Sequence, residues 1–252
     1  MTEHRVVSRQ QWLAERRALL AKEKELTHLR DKLNDERRAL PWVKIEKNYI
    51  FDTPTGEKSL ADLFAERSQM LIYHFMMGPG WLAGCKSCSF LVDHVDGALP
   101  HLEHHDVTFT AVARAPLAEI EGYKKRMGWR FPWVSSANND FNYDFHVSFT
   151  KEELASRKIF YNFAEMAIAA DCEYSELPGL SAFYKDSSGQ VFHTYSGYAR
   201  GGEELLGTLM LLDRAPFGRN EKQVMDFVRR HDEYDAPPWG DLHPIAKAAD
   251  QR

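Results

Sequence analysis

The chain has 252 residues, a length that fits one large domain or one domain with additions. Hydrophobic residues make up 44% of it, enough for a packed core, and the formal net charge of −5 argues against a nucleic-acid-binding surface. Residues 1–10 are polar, and the longest apolar runs, 71–77 and 209–212, are too short to span a bilayer. We therefore expect a cytoplasmic protein without a secretory signal, a membrane partner or a nucleic-acid partner.

The first predicted element is one long amphipathic helix within residues 1–41. Between Arg9 and Leu40 the sequence has neither Gly nor Pro, and Ser8 is a suitable N-cap. Apolar side chains recur every seven residues, at Trp12, Leu19, Leu26, Leu33 and Leu40. This stripe can pack on the helix's own domain or form a subunit contact. Because seven-residue spacing is typical of helix–helix seams, it favours a homodimer.

Residues 42–215 are predicted to form the main domain. In the first half, strands and helices alternate: a hairpin at 49–60, a short helix at 61–67, a buried strand at 70–77, a helix at 89–102, a strand at 107–113, a helix at 116–127 and a short strand or extended loop at 129–135. The strand at 70–77 is almost continuously apolar, as expected for a central strand that is buried on both faces.

The second half of this domain is predicted to contain a helix, a hairpin and a closing helix. Thr150 and Glu153 form a capping-box pattern for a helix that runs to about residue 170. Residues 179–185 and 190–195 alternate around a polar turn and predict the hairpin. A last helix is predicted at 202–213, and the polar residues 216–252 are predicted to be a C-terminal arm.

The order of these elements indicates an α/β fold with a central sheet flanked by helices. Alternating strands and helices favour a parallel sheet with crossover helices. A cysteine pair that follows a buried strand and begins a helix, with a hairpin later in the chain, resembles the thioredoxin-like arrangement. The early hairpin at 49–60 makes the chain more similar to the peroxiredoxin-like and membrane-tethered thioredoxin branches of that superfamily.

Five segments carry a closer resemblance. They are Tyr73–Met76, Gly84–Phe90, Trp129–Trp133, Asp140–Phe145 and Val191–Ser196. Together they resemble a bacterial family of thioredoxin-like proteins of unknown function that are predicted to be dithiol–disulfide oxidoreductases. The resemblance extends from about residue 8 to residue 220. It implies the fold and a predicted class of activity, but no substrate.

Cys85 and Cys88 are the candidate catalytic residues. Two cysteines three residues apart on a first helical turn lie within disulfide reach. The backbone N–H groups at a helix start favour an anion, and Lys86 adds a positive charge, so Cys85 is the predicted nucleophile and Cys88 the buried resolving thiol. The C-x-x-C spacing also occurs in zinc sites, and a vestigial pair is the third possibility. We expect neither an organic cofactor nor a metal.

Further residues are predicted to lie near this pair. Gly84 and Ser87 adjoin it in the sequence, and Trp81 can shield the thiols or simply pack on the loop. Thioredoxins carry a proline that faces the cysteines at the start of the hairpin, and Ser181 is the residue that we expect at this position. Arg130 is a candidate cation for an acidic group of a substrate or for a peroxidase site.

Three functions stay open from the sequence. The first is a thiol–disulfide oxidoreductase acting on a protein or a small-molecule thiol or disulfide. The second is a thiol peroxidase, although Leu82 replaces the Thr that peroxiredoxins place three residues before their reactive cysteine. The third is a dimeric binding module without catalysis. Cys172 is either a small buried apolar residue or a thiol that resolves a sulfenate at Cys85.

Overall fold

The computed structural model describes residues 4–169 and 174–234, and its contacts divide the chain into the units Met1–Pro41 and Trp42–Arg252. The first unit contains the helix α1, Arg9–Arg38. Ser8 caps α1 and forms a capping box with Gln11, which confirms the predicted long N-terminal helix. Its apolar stripe is half exposed, with Leu19 at 52%, Leu26 at 56% and Leu33 at 47%.

The second unit is built on a mixed sheet. Among the described residues the strands are β1 Val43–Lys44, β2 Ile50–Thr53, β3 Gly56–Ser59, β4 Gln69–His74, β5 Val107–Ala113, β6 Trp133–Ser135, β7 Lys158–Tyr161, β8 Ala164–Ala167, β9 Gly179–Lys185 and β10 Val191–Tyr198. The main sheet has the order β1-β10-β9-β4-β5-β6-β2-β3, and β7 and β8 form a separate hairpin. Strands β4, β5 and β6 are parallel, whereas β9 is antiparallel to β4. The predicted α/β fold is thus confirmed.

Short helices connect these strands. They are α2 Lys86–Val92, α3 Leu99–His104, α4 Leu117–Met127, α5 Phe141–Asp144, α6 Lys151–Ser156 and α7 Gly207–Leu212, with 3-10 turns at Asp62–Phe64 and Ala199–Leu205. Within the described part of the chain, no helix is both long and apolar enough to cross a membrane.

The sheet separates two hydrophobic clusters, and β4 contributes to both. Met70 and Ile72 belong to one cluster, whereas Tyr73 belongs to the cluster that contains Cys88. This alternation follows from the two-residue period of a strand. A strand between two clusters needs apolar residues on both faces, which explains its nearly continuous apolar sequence.

The predicted helices at 150–170 and 89–102 differ from the structure, as does the one at 202–213, which is a 3-10 turn followed by α7. The helix predicted from Thr150 to about residue 170 ends at Ser156, and Arg157 takes a left-handed conformation with φ of 61°. The hairpin β7–β8 follows, because Ile159, Phe160 and Tyr161 are β-branched and aromatic residues that favour strands. The helix predicted at 89–102 is two helices, α2 and α3.

The break between α2 and α3 is stabilised by tertiary contacts. The carboxylate of Asp93 accepts a hydrogen bond from the Trp129 indole N–H at 2.7 Å, and that of Asp96 accepts from the backbone N–H groups of Arg130 and Phe131. These carboxylates therefore fix the turn to the chain that enters β6. Such partners lie far away in the sequence, so the helical pattern does not reveal them.

Candidate functional site

The loop after β4 positions the two cysteines. The Cys85 N–H donates to the Met76 carbonyl at 3.0 Å, which returns the chain to the end of β4 before α2 begins. Gly84 is required where the loop passes closest to two aromatic rings, because a Cβ there would lie 2.4 Å from the Phe75 ring and 2.8 Å from the Tyr123 ring. The thiols therefore lie at the carboxyl end of a central strand.

The environment of Cys85 favours its thiolate. Cys85 is the N-cap residue of α2, is partly exposed and carries a free thiol. A hydrogen bond from the Cys88 thiol, together with backbone N–H groups of Cys88 and Ser87 and the charge of Arg230, lowers the pKa of Cys85 to about 6 despite its burial. At neutral pH, Cys85 is thus mainly a thiolate.

Cys88 has the opposite character. Its side chain is 1% exposed, and burial raises its pKa well above the usual value, as does the neighbouring Cys85. The Tyr73 hydroxyl forms a hydrogen bond with Cys88 that opposes this rise in pKa. Cys88 is therefore protonated at neutral pH.

A segment near the end of the described chain contacts the loop beside the cysteines. The Arg230 guanidinium donates to the Gly84 carbonyl from Nη2 at 2.6 Å and from Nε at 3.1 Å, and it pairs with Glu233 at 2.7 Å. His231 Nδ1 lies 2.7 Å from the Asp93 carboxylate. Sequence reasoning missed Arg230, which is separated from Gly84 by 146 residues. No local pattern around Arg230 signals this contact.

Only some of the residues that were predicted to lie near the cysteine pair do so. Ser87 contributes a backbone donor to Cys85, and Trp81 packs against the hydrophobic cluster that contains Cys88. Lys86 is the exposed first residue of α2. Arg130 has a side chain that is 76% exposed and lies 3.6 Å from Asp96 beyond the end of α2. The structure therefore brings Ser87 and Trp81 to the site, whereas Arg130 is engaged elsewhere.

A cavity of about 250 Å³ adjoins Cys88, and we call it the Cys88 cavity. Pro178, which directly precedes β9, and Leu180 line it together with Tyr73. The expectation that Ser181 faces the cysteines is wrong, because Ser181 pairs with Ile72 and lies on the other face of the sheet. The proline at the start of the hairpin is Pro178.

Ser181 instead belongs to a buried polar chain. Its hydroxyl lies 2.8 Å from His74 Nε2 and 2.7 Å from the Ser196 hydroxyl, which in turn lies 2.8 Å from His193 Nε2. Burial lowers the pKa of His74 to about 3, so His74 is neutral. These four residues connect β4, β9 and β10 and include parts of two of the family-like segments.

A buried carboxyl group lies close in sequence to Pro178. Glu176 accepts hydrogen bonds from the Ser148 hydroxyl and from the Arg114 guanidinium, the latter at 3.1 Å. Burial nevertheless raises its pKa to about 7, since desolvation outweighs these favourable partners. Glu176 therefore titrates near neutral pH in the fold.

The sequence also raises the possibility of a metal site and of a role for Cys172. Residues 4–169 and 174–234 contain no group of three or more His, Cys, Asp or Glu side chains arranged to hold a metal ion. Cys172 lies outside the described residues.

The sheet order and the position of the cysteines define a thioredoxin-like α/β protein. The cysteines follow the central parallel strand, and the antiparallel hairpin β9–β10 pairs with this strand along its other edge. The chain belongs to the family described as bacterial protein of unknown function (DUF899), which matches residues 1–234. No curated protein matches the sequence.

Several solved structures are similar to this chain. Peroxiredoxin Q of Xanthomonas campestris is 12% identical, with 64% of this chain and 90% of that chain covered and a TM-score of 0.41. Peroxidoxin BcpB from Mycobacterium tuberculosis is 13% identical, with 69% and 97% covered and a TM-score of 0.41. Yeast mitochondrial 1-Cys peroxiredoxin is 17% identical, with 67% and 75% covered and a TM-score of 0.36.

Proposed function

We propose that this protein is a thiol–disulfide oxidoreductase that acts through Cys85 and Cys88. The contrast between the two thiols is the observation that carries this proposal. The pKa of Cys85 is lowered to about 6, whereas Cys88 is buried, protonated and hydrogen-bonded to it. Such a pair supplies a nucleophile at neutral pH and a second thiol within reach of the first sulfur.

The exchange follows in two steps. The Cys85 thiolate attacks one sulfur of a substrate disulfide, so that a Cys85–substrate bond forms, the substrate's S–S bond breaks and one thiolate leaves. Cys88 then gives up its proton, which the thiolate released in the first step takes up, and attacks the Cys85 sulfur. This attack breaks the mixed disulfide, forms a Cys85–Cys88 disulfide and releases the second thiolate. One disulfide is reduced to two thiols, and the cysteine pair is oxidised.

Tyr73 supports the second step. Once Cys85 is bonded to the substrate it no longer carries a negative charge, and one cause of the raised pKa of Cys88 disappears. The Tyr73 hydroxyl then donates a hydrogen bond to the developing Cys88 thiolate in a buried environment, where such a hydrogen bond is stronger than in water. Tyr73 thus positions and stabilises the resolving thiolate.

Trapping of the mixed disulfide tests the proposal. The reduced full chain with Cys172→Ser as background is mixed with bis(2-hydroxyethyl) disulfide, and each cysteine is followed by mass spectrometry. We expect Cys88→Ser to accumulate the adduct on Cys85 and Cys85→Ser to form no fast adduct. Equal adduct formation in Cys85→Ser would refute the proposal. Reaction of Cys85 with hydrogen peroxide much faster than with this disulfide would instead indicate a thiol peroxidase.

The homodimer expected from the sequence is also part of this proposal. Leucines at seven-residue spacing along α1 are half exposed, and a second copy of the helix presents the same stripe. We expect Leu26→Glu to lower the molar mass measured by light scattering from dimer to monomer, whereas Lys24→Glu on a charged face leaves it unchanged. A monomeric parent chain would exclude the dimer. The cytoplasmic location stays a prediction.

A further inference from the structure

The Cys88 cavity is bounded by elements from three parts of the chain. Tyr73 and Cys88 form one wall, Pro178 comes from the residue before β9 and Leu180 from β9 itself. The remaining walls include apolar side chains of Leu91, Leu206, Leu209, Val224 and Met225. The cavity is partly open to solvent, so a small molecule can reach a surface that ends at the resolving cysteine.

The charged side chains that line this cavity are already paired. Arg219 lies 2.7 Å from Glu203 and 2.7 Å from Asp213, and Arg200 lies 2.7 Å from the same Glu203. A charged ligand would have to be desolvated against this neutralised cluster without gaining an ion pair. An uncharged apolar group loses little favourable hydration when it enters the cavity, and its burial against the aliphatic walls is stabilising.

The size of the cavity sets the size of its ligand. A dry cavity of about 150 Å³ is enough to bind benzene. The Cys88 cavity, at about 250 Å³, therefore fits one substituted aromatic ring or a short branched alkyl group, but not a folded segment of a protein. Ser87 and Cys88 lie on its wall, and Cys85 forms a hydrogen bond with Cys88. A group held there would keep an attached sulfur close to both thiols.

We propose that the Cys88 cavity binds the uncharged apolar group of a small-molecule disulfide, and that the pair acts on disulfides of this class. This inference rests on the proposed exchange at Cys85. In the mixed disulfide, the substrate's sulfur is bonded to Cys85 while its aryl or alkyl group occupies the cavity beside Cys88. Cys88 then displaces the apolar thiolate, and the electron balance is that of the exchange given above.

Two adjacent glycines supply a test and a matched control. A Cβ at Gly202, which lines the cavity, would meet only Leu91 at 4.0 Å, so Gly202→Leu directs a side chain toward the cavity without a backbone clash. At Gly201 an added Cβ meets nothing within 4 Å. Both positions lie in the 3-10 turn Ala199–Leu205, so Gly201→Leu makes the same chemical change outside the cavity lining.

The probes are two chromogenic aryl disulfides that differ in charge. The reduced full chain with Cys172→Ser reacts with 4,4′-dithiodipyridine, which is uncharged at neutral pH, or with 5,5′-dithiobis(2-nitrobenzoate), which carries two negative charges. Each stopped-flow rate is divided by that of N-acetylcysteine with the same disulfide. We expect the uncharged probe to be favoured by roughly tenfold or more in the parent chain and in Gly201→Leu. In Gly202→Leu this preference should fall to near unity, with thermal unfolding confirming the fold.

The outcomes separate this inference from the proposed function. If the rates depend on Cys85 but show no preference for the uncharged probe, or if Gly202→Leu retains the preference, the cavity is not the substrate site and the inference is overturned. If Cys85→Ser reacts as fast as the parent chain with both probes, the exchange at Cys85 itself fails. Saturation of the rate by 4,4′-dithiodipyridine, competed by toluene in the parent but not in Gly202→Leu, would further support the cavity.

Discussion

The hydrogen bond from Cys88 is the largest of the causes that lower the pKa of Cys85. We therefore expect Cys88→Ala, which removes the donor, to raise the pKa of the remaining thiol. Cys88→Ser is the matched control, because its hydroxyl retains a donor at the same position. The backbone N–H groups of residues 87 and 88 are present in both variants, so the pKa in Cys88→Ala should lie between about 6 and the ordinary value.

The pKa of Cys85 sets the size of this effect. With a pKa of about 6, roughly nine tenths of Cys85 is thiolate at pH 7. An ordinary thiol with a pKa of about 8.5 is only about 3% ionised at the same pH. The thiolate fraction at pH 7 can therefore fall by at most about thirtyfold in Cys88→Ala. A rise of about one pKa unit already reduces it to about half.

Alkylation against pH measures this pKa directly. Iodoacetamide is allowed to react for short times between pH 4 and pH 10, and modification of the Cys85 peptide is quantified by mass spectrometry. The pH midpoint of the alkylation profile is compared between variants, and not the rate at a single pH, because a thiolate becomes intrinsically more nucleophilic as its pKa rises. An equal midpoint in Cys88→Ala and Cys88→Ser, or a parent midpoint near 8.5, would refute the assigned origin of the reactive thiolate.

Three other changes test parts of the same site. Tyr73→Phe should lengthen the lifetime of the mixed disulfide in quenched-flow mass spectrometry, without a matching change in the alkylation midpoint of Cys85. Arg230→Gln should raise that midpoint by less than Cys88→Ala does, because the charge of Arg230 is a smaller cause than the hydrogen bond. Burial raises the pKa of Glu176 from 4.5 to about 7, so the unfolded chain releases its proton first and stability falls between these pH values. Thermal unfolding should show this loss, up to about 3 kcal/mol, and it should be absent in Glu176→Gln.

Local sequence signals were sufficient to predict where the two cysteines lie in the fold. An apolar strand, a loop with Gly and Pro, and a cysteine pair at a helix start follow one another within twenty residues, and their geometry depends mainly on neighbours in the chain. The contrast between Cys85 and Cys88 also follows from this arrangement. What the sequence could not provide is the set of long-range partners, such as Arg230 on the Gly84 carbonyl.

The error at Ser181 has a geometric origin. Strand side chains alternate between the two faces of a sheet. An error of one residue in the predicted alignment of a strand therefore places a side chain on the opposite face. Pro178 precedes β9, and Ser181, three residues later, lies on the face with His74 instead of the face with Tyr73. The polar turn of the hairpin predicts where the strands end, but it does not specify which face meets the cysteines.

Tyr73 connects the chemistry of the pair to the proposed choice of substrate. Its hydroxyl is a partner of Cys88, and the same side chain lines the Cys88 cavity. An apolar group that fills the cavity would exclude water from this hydrogen bond, and a hydrogen bond to a thiolate is stronger in a dry environment. Exclusion of water also disfavours the Cys88 thiolate, so the second step should depend more on Tyr73 for a disulfide that fills the cavity than for a polar one of equal intrinsic reactivity. Tyr73→Phe should slow resolution more for the cavity-filling disulfide while leaving the preference in the first step, and equal slowing for both disulfides would show that the cavity acts by binding alone.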